Sequence, residues 1–255
     1  MRTVLVTGAA GGIGTRMRKL LKGVYPQIRW SDIRPPPDLS SDETFVQADL
    51  ADLAQVENAV AGVDGIVHLG GVSVEHPWDA VLSANIVGCY NLFEAARRQK
   101  VKRIVFASSN HAVGFYPRKR KIGVDEPVRP DSRYGVSKAF GEAIGSLYAY
   151  KHGLRVTCLR IGNFGDARLS ITGGWRSGSS PRTSCSSICI GLEHPGARSD
   201  NERAWWDNEP AFRYGYRPTG RAEEYRRCRP GRTEGAARRS RRRLVPGRPL
   251  LQRRV

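Results

Sequence analysis

The chain has 255 residues, of which 40% are hydrophobic and 26% charged, enough for one α/β domain with a buried core. No apolar run approaches the roughly 18 residues of a membrane span, so we expect neither a membrane segment nor a secretory leader. The five cysteines form no Cys-x-x-Cys pair, and we expect a reducing cytoplasm without disulfides or a metal site.

The formal net charge of +18 is concentrated in the second part of the chain. Residues 1–150 carry 19 Lys/Arg against 15 Asp/Glu, whereas residues 151–255 carry 23 against 9. Residues 228–255 alone hold 10 arginines and one glutamate among Gly, Pro and Ala, without periodicity. We expect this tail to be disordered and the N-terminal part to be a nearly neutral folded domain, so the charge does not indicate nucleic-acid binding.

Strand-like and helix-like segments alternate through the first 162 residues. The predicted strands are 3–7, 27–32, 44–48, 65–69, 103–107 and 155–161, and the predicted helices are 13–22, 53–61, 79–99 and 133–152. This alternation predicts right-handed βαβ units in an α/β fold with a Rossmann-like, doubly wound parallel sheet. The pattern stops near Thr172, which predicts a domain at 1–170 and a small, irregular substrate-side segment at 171–227.

A glycine-rich turn follows the first predicted strand and opens the first predicted helix. Gly8, Gly11 and Gly14 permit a tight turn, a close backbone approach to a pyrophosphate, and packing of the helix on the sheet. The phosphates would lie at the helix N-terminus, beside Gly12 and Ile13. The spacing Gly-x-x-Gly-x-x-Gly is not that of most dinucleotide folds, but the strand–turn–helix context indicates nucleotide binding.

Acidic residues follow the second and third predicted strands. Asp32 lies 18 residues after Gly14, where a carboxylate accepts hydrogen bonds from both ribose hydroxyls and repels a 2′-phosphate. This favours NAD as the cofactor, although the nearby Arg34 leaves NADP as an alternative. Asp49 and Leu50 would bracket the adenine, unless Asp49 instead caps a helix.

Tyr134 and Lys138 share one face of the helix predicted at 133–152. An ordinary tyrosine, with a pKa of about 10, is a poor base at neutral pH. The Lys138 ammonium, with an oxidised nicotinamide nearby, favours the phenolate and brings Tyr134 into range for proton transfer. Ser109, at the end of the fifth strand, lies at the carboxyl edge of the sheet and can hydrogen-bond the same substrate oxygen.

Together, Ser109, Tyr134 and Lys138 resemble the catalytic trio of the extended short-chain dehydrogenase/reductases, the NAD-dependent epimerase/dehydratase type. The resemblance covers about residues 1–165. It implies an oxidoreductase that binds NAD and in which Tyr134 exchanges a proton with the substrate.

Three segments further resemble the uronate dehydrogenase group: HLGGVSVE at 68–75, ASSNH at 107–111 and WWDN at 205–208. This resemblance implies that Arg168 clamps a uronate carboxylate, which suits a bidentate guanidinium, although Arg168 could instead be a solvated surface residue. Asn163, where the group usually has serine, would lie near the nicotinamide and the substrate. The sugar would be contacted by Ser73, Ser109 and Asn110, and the cofactor by Leu69, Gly70, Gly71, Val72, Lys138 and Ile161.

The implied reaction is the NAD-dependent oxidation of a hexuronate, glucuronate or galacturonate, at C1 to the aldarolactone. The implied partner is a small sugar acid, with no nucleic acid and no membrane, and the two longest helices could pair in a homo-oligomer. One alternative is a nucleotide-sugar epimerase or dehydratase with the same trio, which usually has a larger C-terminal domain. Another is a non-catalytic NAD-binding or nucleic-acid-binding protein that uses the Arg-rich tail.

The likeness to the uronate dehydrogenase group is interrupted near Gly173, returns near Asn201 and ends near Arg227. After Lys151 the chain contains many arginines but no lysine. Because shifted frames of GC-rich codons encode Arg, Gly, Pro, Ser and Ala, we hypothesise a disrupted reading frame over 173–200 and 228–255.

Overall fold

The computed structural model describes residues 1–117, 119–120, 122–164, 178–179, 192 and 202–205. Within these ranges a seven-stranded parallel sheet has the order β3-β2-β1-β4-β5-β6-β9. A second, two-stranded sheet pairs β7 with β8. The strands are β1 (Thr3–Thr7), β2 (Gln27–Asp32), β3 (Thr44–Gln47), β4 (Gly65–His68), β5 (Arg103–Ser109), β6 (Arg155–Ile161), β7 (Asn163–Phe164), β8 (Gly178–Ser179) and β9 (Glu202–Trp205).

Helices connect β1 to β2, β3 to β4, β4 to β5 and β5 to β6, whereas the described residues 33–43 join β2 to β3 without a helix. The helices are α1 (Gly12–Leu20), α2 (Leu53–Val60), α3 (Trp78–Val81), α4 (Gly88–Arg98) and α5 (Arg133–His152). A π-helical turn (Leu82–Val87) joins α3 to α4, and a 3-10 turn (Asn110–Val113) follows β5. The structure therefore confirms the predicted α/β fold with a doubly wound parallel sheet.

Hydrophobic cores lie on both faces of the sheet. Every residue of β1 and of β5 is buried, as expected for central strands that are covered on both sides. One core packs α2, α4 and α5 on the sheet and includes Phe93 and Tyr148. The other packs α1 on the opposite face and includes Met17, Trp30 and Leu159. The two cores fix the strand ends at which the site forms.

The helix that carries Tyr134 and Lys138 has well-defined ends. The Ser132 hydroxyl caps α5 by accepting a hydrogen bond from the N–H of Gly135 at 3.0 Å. The helix stops at Gly153, whose φ of +69° is left-handed and suits glycine. The predicted span of 133–152 is confirmed.

Several predicted elements differ from the observed ones. Four differ only by one or two residues at their ends, namely the helices predicted at 13–22 and 53–61 and the strands predicted at 44–48 and 65–69. The helix predicted at 79–99 begins at Trp78 and contains the π-helical turn, and the strand predicted at 103–107 continues to Ser109. β9 was not predicted, yet it pairs with β6 in the main sheet. No helix within the described ranges is long and apolar enough to cross a membrane.

Candidate active site

A cavity of about 730 Å³ opens at the carboxyl ends of β1, β2, β4, β5 and β6. The strand order reverses here, since β2 and β3 lie on one side of β1 and β4, β5 and β6 on the other. Open α/β sheets bind their ligands at such a switch point. The cavity is therefore where a cofactor and a substrate would meet.

The glycine turn forms one wall of the cavity. Gly8 has a φ of +74°, and a Cβ there would lie 2.7 Å from the carbonyl carbon of Leu69. A Cβ on Gly14 would collide with the carbonyl oxygen of Gly8, whereas a Cβ on Gly12 would meet no atom within 4 Å. The fold thus requires glycine at two positions of the turn, and Gly12 leaves open space.

The N-terminus of α1 fits the pyrophosphate of a dinucleotide. Gly11, the N-cap residue, offers no side-chain cap, and the first turn contains no acidic residue. The free N–H groups and the positive end of the helix dipole therefore border the cavity without a competing side chain.

Asp32 is held at the edge of this turn by the backbone. Its carboxylate accepts hydrogen bonds from the N–H of Ala10 at 2.9 Å and the N–H of Ile33 at 2.8 Å. A carboxylate has about four acceptor sites, so capacity remains for ribose hydroxyls. Arg34 also lines the cavity, which leaves both charges beside the position expected for the ribose.

Asp49 and Leu50 line the cavity after β3. Asp49 accepts a hydrogen bond from the N–H of Ala51 at 2.9 Å, and the N-cap of α2 is Asp52 instead. The alternative that Asp49 is a helix N-cap is therefore wrong.

Ser109, Tyr134 and Lys138 come together in the same cavity. The Ser109 Oγ accepts a hydrogen bond from the N–H of His111 at 3.2 Å and donates one to the Oδ1 of Asn110 at 3.1 Å. The Lys138 Nζ lies 5.4 Å from the centroid of the Tyr134 ring and 5.1 Å from that of Phe106. Ser109 and Tyr134, which are predicted to share one substrate oxygen, thus line the same cavity as Lys138, which is predicted to tune Tyr134.

Burial shifts the pKa of both Tyr134 and Lys138 towards the neutral form. It raises the pKa of Tyr134, and the hydrogen-bonding interaction with Ser109 opposes this in part. It also lowers the pKa of Lys138 to about 8. Stabilisation of the phenolate by Lys138, as expected from the sequence, thus has to overcome the desolvation of both groups.

A buried asparagine links the loop after β4 to α5. Asn85, in the π-helical turn, bonds the N–H and C=O of Val72 at 2.8 and 3.0 Å. Its amide also donates to the Ser137 hydroxyl at 2.9 Å, and that hydroxyl donates to the carbonyl of Tyr134 at 2.7 Å. Sequence reasoning missed Asn85, because its role depends on contacts with residues distant in the chain.

A buried ion pair lies next to the end of β5. Arg160 and Glu142 are 1% and 3% exposed and form a bidentate pair with N–O distances of 2.7 and 2.8 Å. The Ser108 hydroxyl donates to the same carboxylate at 2.7 Å. This network ties β5 and β6 to α5 beside Ser109, and sequence analysis did not identify it.

The structure brings together nearly all the predicted site residues. Asn163 is described only as backbone of β7, and Arg168 lies outside the described residues. No group of three metal-binding side chains occurs among the described residues. The cavity is lined by Gly8, Gly11, Gly12, Ile13, Gly14, Asp32, Asp49, Leu50, Leu69, Gly70, Gly71, Val72, Ser73, Ser109, Asn110, Tyr134, Lys138 and Ile161.

The chain resembles uronate dehydrogenases in sequence. The uronate dehydrogenase of Pseudomonas putida is 42% identical over 233 residues, which cover 88% of this chain and 86% of that protein. The uronate dehydrogenase of Agrobacterium fabrum is 42% identical over 235 residues, which cover 89% and 88%.

Solved structures show the same resemblance in fold. The crystal structure of uronate dehydrogenase from Agrobacterium tumefaciens has a TM-score of 0.76 and 40% identity, with 89% of this chain and 88% of that chain covered. A tyrosine-to-alanine variant of that enzyme is complexed with NAD. Glucuronic acid dehydrogenase from Chromohalobacter salexigens has a TM-score of 0.75 and 40% identity, with coverages of 80% and 76%.

The family follows from these matches. The model of the NAD dependent epimerase/dehydratase family matches residues 4–167, which include the glycine turn and the three residues Ser109, Tyr134 and Lys138. The chain therefore belongs to the NAD-dependent epimerase/dehydratase family.

Proposed function

We propose that this chain oxidises a hexuronate, glucuronate or galacturonate, at C1 to the aldarolactone, with NAD as the cofactor. The observation that carries the proposal is the convergence of the glycine turn with Ser109, Tyr134 and Lys138 on one cavity. The similarity to uronate dehydrogenases over most of their length narrows the substrate to a sugar acid.

Tyr134 acts as the base in this proposal. It takes the proton of the C1 hydroxyl while C1 loses its hydride, and NAD, when bound, supplies the hydride acceptor. Ser109 holds the C1 oxygen, with its hydroxyl oriented by Asn110 and the backbone of His111. Lys138 holds the cofactor ribose and, when protonated, favours the phenolate of Tyr134.

The cofactor would span both sides of the switch point, with its adenosine end beside β2 and β3 and its nicotinamide end beside β4 and β6. The N-terminus of α1 binds the pyrophosphate through backbone N–H groups, as its free first turn permits. Asp32 accepts from the adenosine ribose and selects NAD over NADP. Asp49 and Leu50 border the adenine, and the segment 69–72 with Ile161 encloses the nicotinamide end.

The substrate roles extend beyond the described residues. Ser73 and Asn110 contact the sugar hydroxyls from the cavity wall. Arg168 clamps the carboxylate with its planar guanidinium, and Asn163 lies near the reacting end of the sugar. These two roles rest on the resemblance to uronate dehydrogenases alone.

We also propose a NAD-binding domain at 1–170, which the family match at 4–167 supports. The segment 171–227 contributes to the substrate side, and the tail at 228–255 serves no partner. We further propose a cytoplasmic location, which Cys89 supports as a buried free thiol.

NADH absorbance tests the proposed function. The purified protein is incubated with NAD and D-glucuronate or D-galacturonate, and parallel reactions contain NADP or a neutral hexose. We expect NADH formation with NAD and a uronate, and much slower reduction in the two controls. An unchanged uronate in the presence of bound NAD, together with turnover of a nucleotide sugar, would favour the epimerase alternative.

A further inference from the structure

The loop after β4 is anchored at two points beside the cavity. Asn85 holds Val72 through both backbone groups. Farther along, the Oε2 of Glu75 accepts a hydrogen bond from the backbone N–H of Tyr134 at 3.2 Å. Ser73, which contacts the sugar in the proposed function, lies between these anchors and lines the cavity.

Glu75 completes the start of α5. The Ser132 hydroxyl already accepts from the N–H of Gly135, and the first turn of α5 contains no acidic residue. The Glu75 carboxylate, 59 residues away in sequence, satisfies a second free N–H and supplies the negative charge that a helix N-terminus favours. Acceptors for the free N–H groups of a helix N-terminus usually lie close to the helix in sequence, whereas this one comes from the loop that borders the substrate.

Arg133 makes two further contacts where the loop meets the start of α5. The Arg133 Nε lies 3.7 Å from the Oε1 of Glu75, and its guanidinium donates to the carbonyl of His76 at 3.3 Å. Both charged side chains are about half exposed, so their ion pair contributes little. The hydrogen bond from Tyr134 to the carboxylate is therefore the main link.

We infer that Glu75 is a positioning residue that fixes the Ser73 side of the loop to the backbone of Tyr134. It thereby sets the separation between the sugar-binding loop and the base. Glu75 is not among the residues that line the cavity, so it acts through Ser73 and Tyr134 and does not touch the substrate. The inference rests on the proposed function for its effect on turnover.

The kinetic test compares Glu75→Ala with Glu75→Gln. Glu57→Ala is the matched control, because Glu57 is a partly exposed glutamate paired with Arg98 away from the cavity. We expect Glu75→Ala to raise the KM for the uronate about tenfold and to lower kcat less, because a displaced loop weakens sugar binding. The KM for NAD stays constant, since Asn85 still holds Val72.

The conservative variant separates anchoring from a general loss of structure. The amide oxygen of Gln still accepts the Tyr134 N–H, so Glu75→Gln should recover most of the wild-type KM. An unchanged uronate KM in Glu75→Ala, or equal losses in both variants, would overturn the inference.

Amide hydrogen exchange provides a readout that does not depend on turnover. We expect faster exchange in peptides covering 70–78 and 132–137 for Glu75→Ala, and wild-type exchange for Glu75→Gln and Glu57→Ala. If the wild type failed to oxidise uronates, the proposed function would fall while this measurement still decided the anchor. Identical exchange in Glu75→Ala and the wild type would overturn it.

Discussion

The two sides of the cavity are built in different ways. The pyrophosphate part of the cofactor side is one contiguous turn, from Gly8 to Gly14, and its shape depends on backbone conformation and close approach. The same turn fixes Asp32 through the N–H of Ala10. The substrate side instead gathers side chains from the loop after β4, the end of β5 and the start of α5.

The two sides therefore depend on different kinds of interaction. Few residue changes are compatible with the cofactor side, because a Cβ at the critical positions meets backbone atoms. The substrate side depends on polar contacts between distant segments, such as Glu75 with Tyr134 and Glu142 with Arg160. Each prediction below perturbs one side and measures whether the other is preserved.

The largest effect is expected for Tyr134→Phe, which removes the proposed base from the substrate side only. We expect kcat to fall by roughly 10²–10⁴-fold, the usual contribution of a general base, with NAD affinity within about twofold of the wild type. Steady-state kinetics and NAD titration by calorimetry check the two halves of this prediction.

The matched control is Tyr150→Phe, since Tyr150 lies on the same helix and is 70% exposed. Its kcat should equal that of the wild type. Full activity in Tyr134→Phe would show that another group takes the proton.

The next largest effect is expected for Glu142→Ala, which breaks the buried ion pair beside Ser109. We expect a loss of about 3–5 kcal/mol in the free energy of unfolding, because the buried guanidinium of Arg160 loses both charge-assisted hydrogen bonds to the Glu142 carboxylate. Urea unfolding measures it, with Glu57→Ala as a control that should cost about 0–1 kcal/mol. Similar small losses in both variants would mean that the buried network does not support the substrate side.

Replacing Gly14 by Ala tests the cofactor side. The added Cβ collides with the carbonyl oxygen of Gly8, so we expect a loss of about 1–3 kcal/mol in stability and weaker NAD binding. Gly12→Ala, in the same turn, should leave the melting temperature unchanged because its Cβ meets open space. Equal melting temperatures for the two variants would contradict the packing argument.

The smallest effect concerns the pH dependence of Lys138. Burial lowers its pKa to about 8 from 10.5, so above pH 8 the unfolded chain binds more protons than the native state. The stability of the wild type relative to Lys138→Met should therefore rise by about 1 kcal/mol between about pH 7 and about pH 9.

Urea unfolding of both proteins at the two pH values measures this difference. Lys151→Met is the control, because Lys151 is an exposed lysine on the same helix. A constant difference between the wild type and Lys138→Met would mean that Lys138 is not desolvated.

Much of the fold could be predicted because its signals are local. β1, β2, β6 and α5 have the predicted bounds. β1 is a continuous apolar run of the kind that buried parallel strands form, and Ser132 and Gly153 mark the helix ends. The π-helical turn could not be predicted, because one extra residue per turn barely alters an apolar period. β9 was missed because the segments around it lack any regular pattern.

The residues of the candidate site also divide into those with a local sequence signal and those without one. The glycine turn and Asp32 were found because their function lies in adjacent residues or at a fixed distance along one βαβ unit. The roles of Asn85 and Glu75 depend on contacts across 13 and 59 residues, which no local pattern records. Only the tertiary structure reveals that they meet Val72 and Tyr134.

The most direct test of the central claim follows the hydride from the sugar. The protein is incubated with NAD and glucuronate deuterated at C1, and the reduced cofactor and the sugar product are analysed by mass spectrometry. The account predicts one deuterium in each reduced cofactor, an aldarolactone product, and no deuterium transfer from glucuronate labelled at C2. Unlabelled reduced cofactor from the C1-deuterated sugar, or transfer from C2, would contradict it.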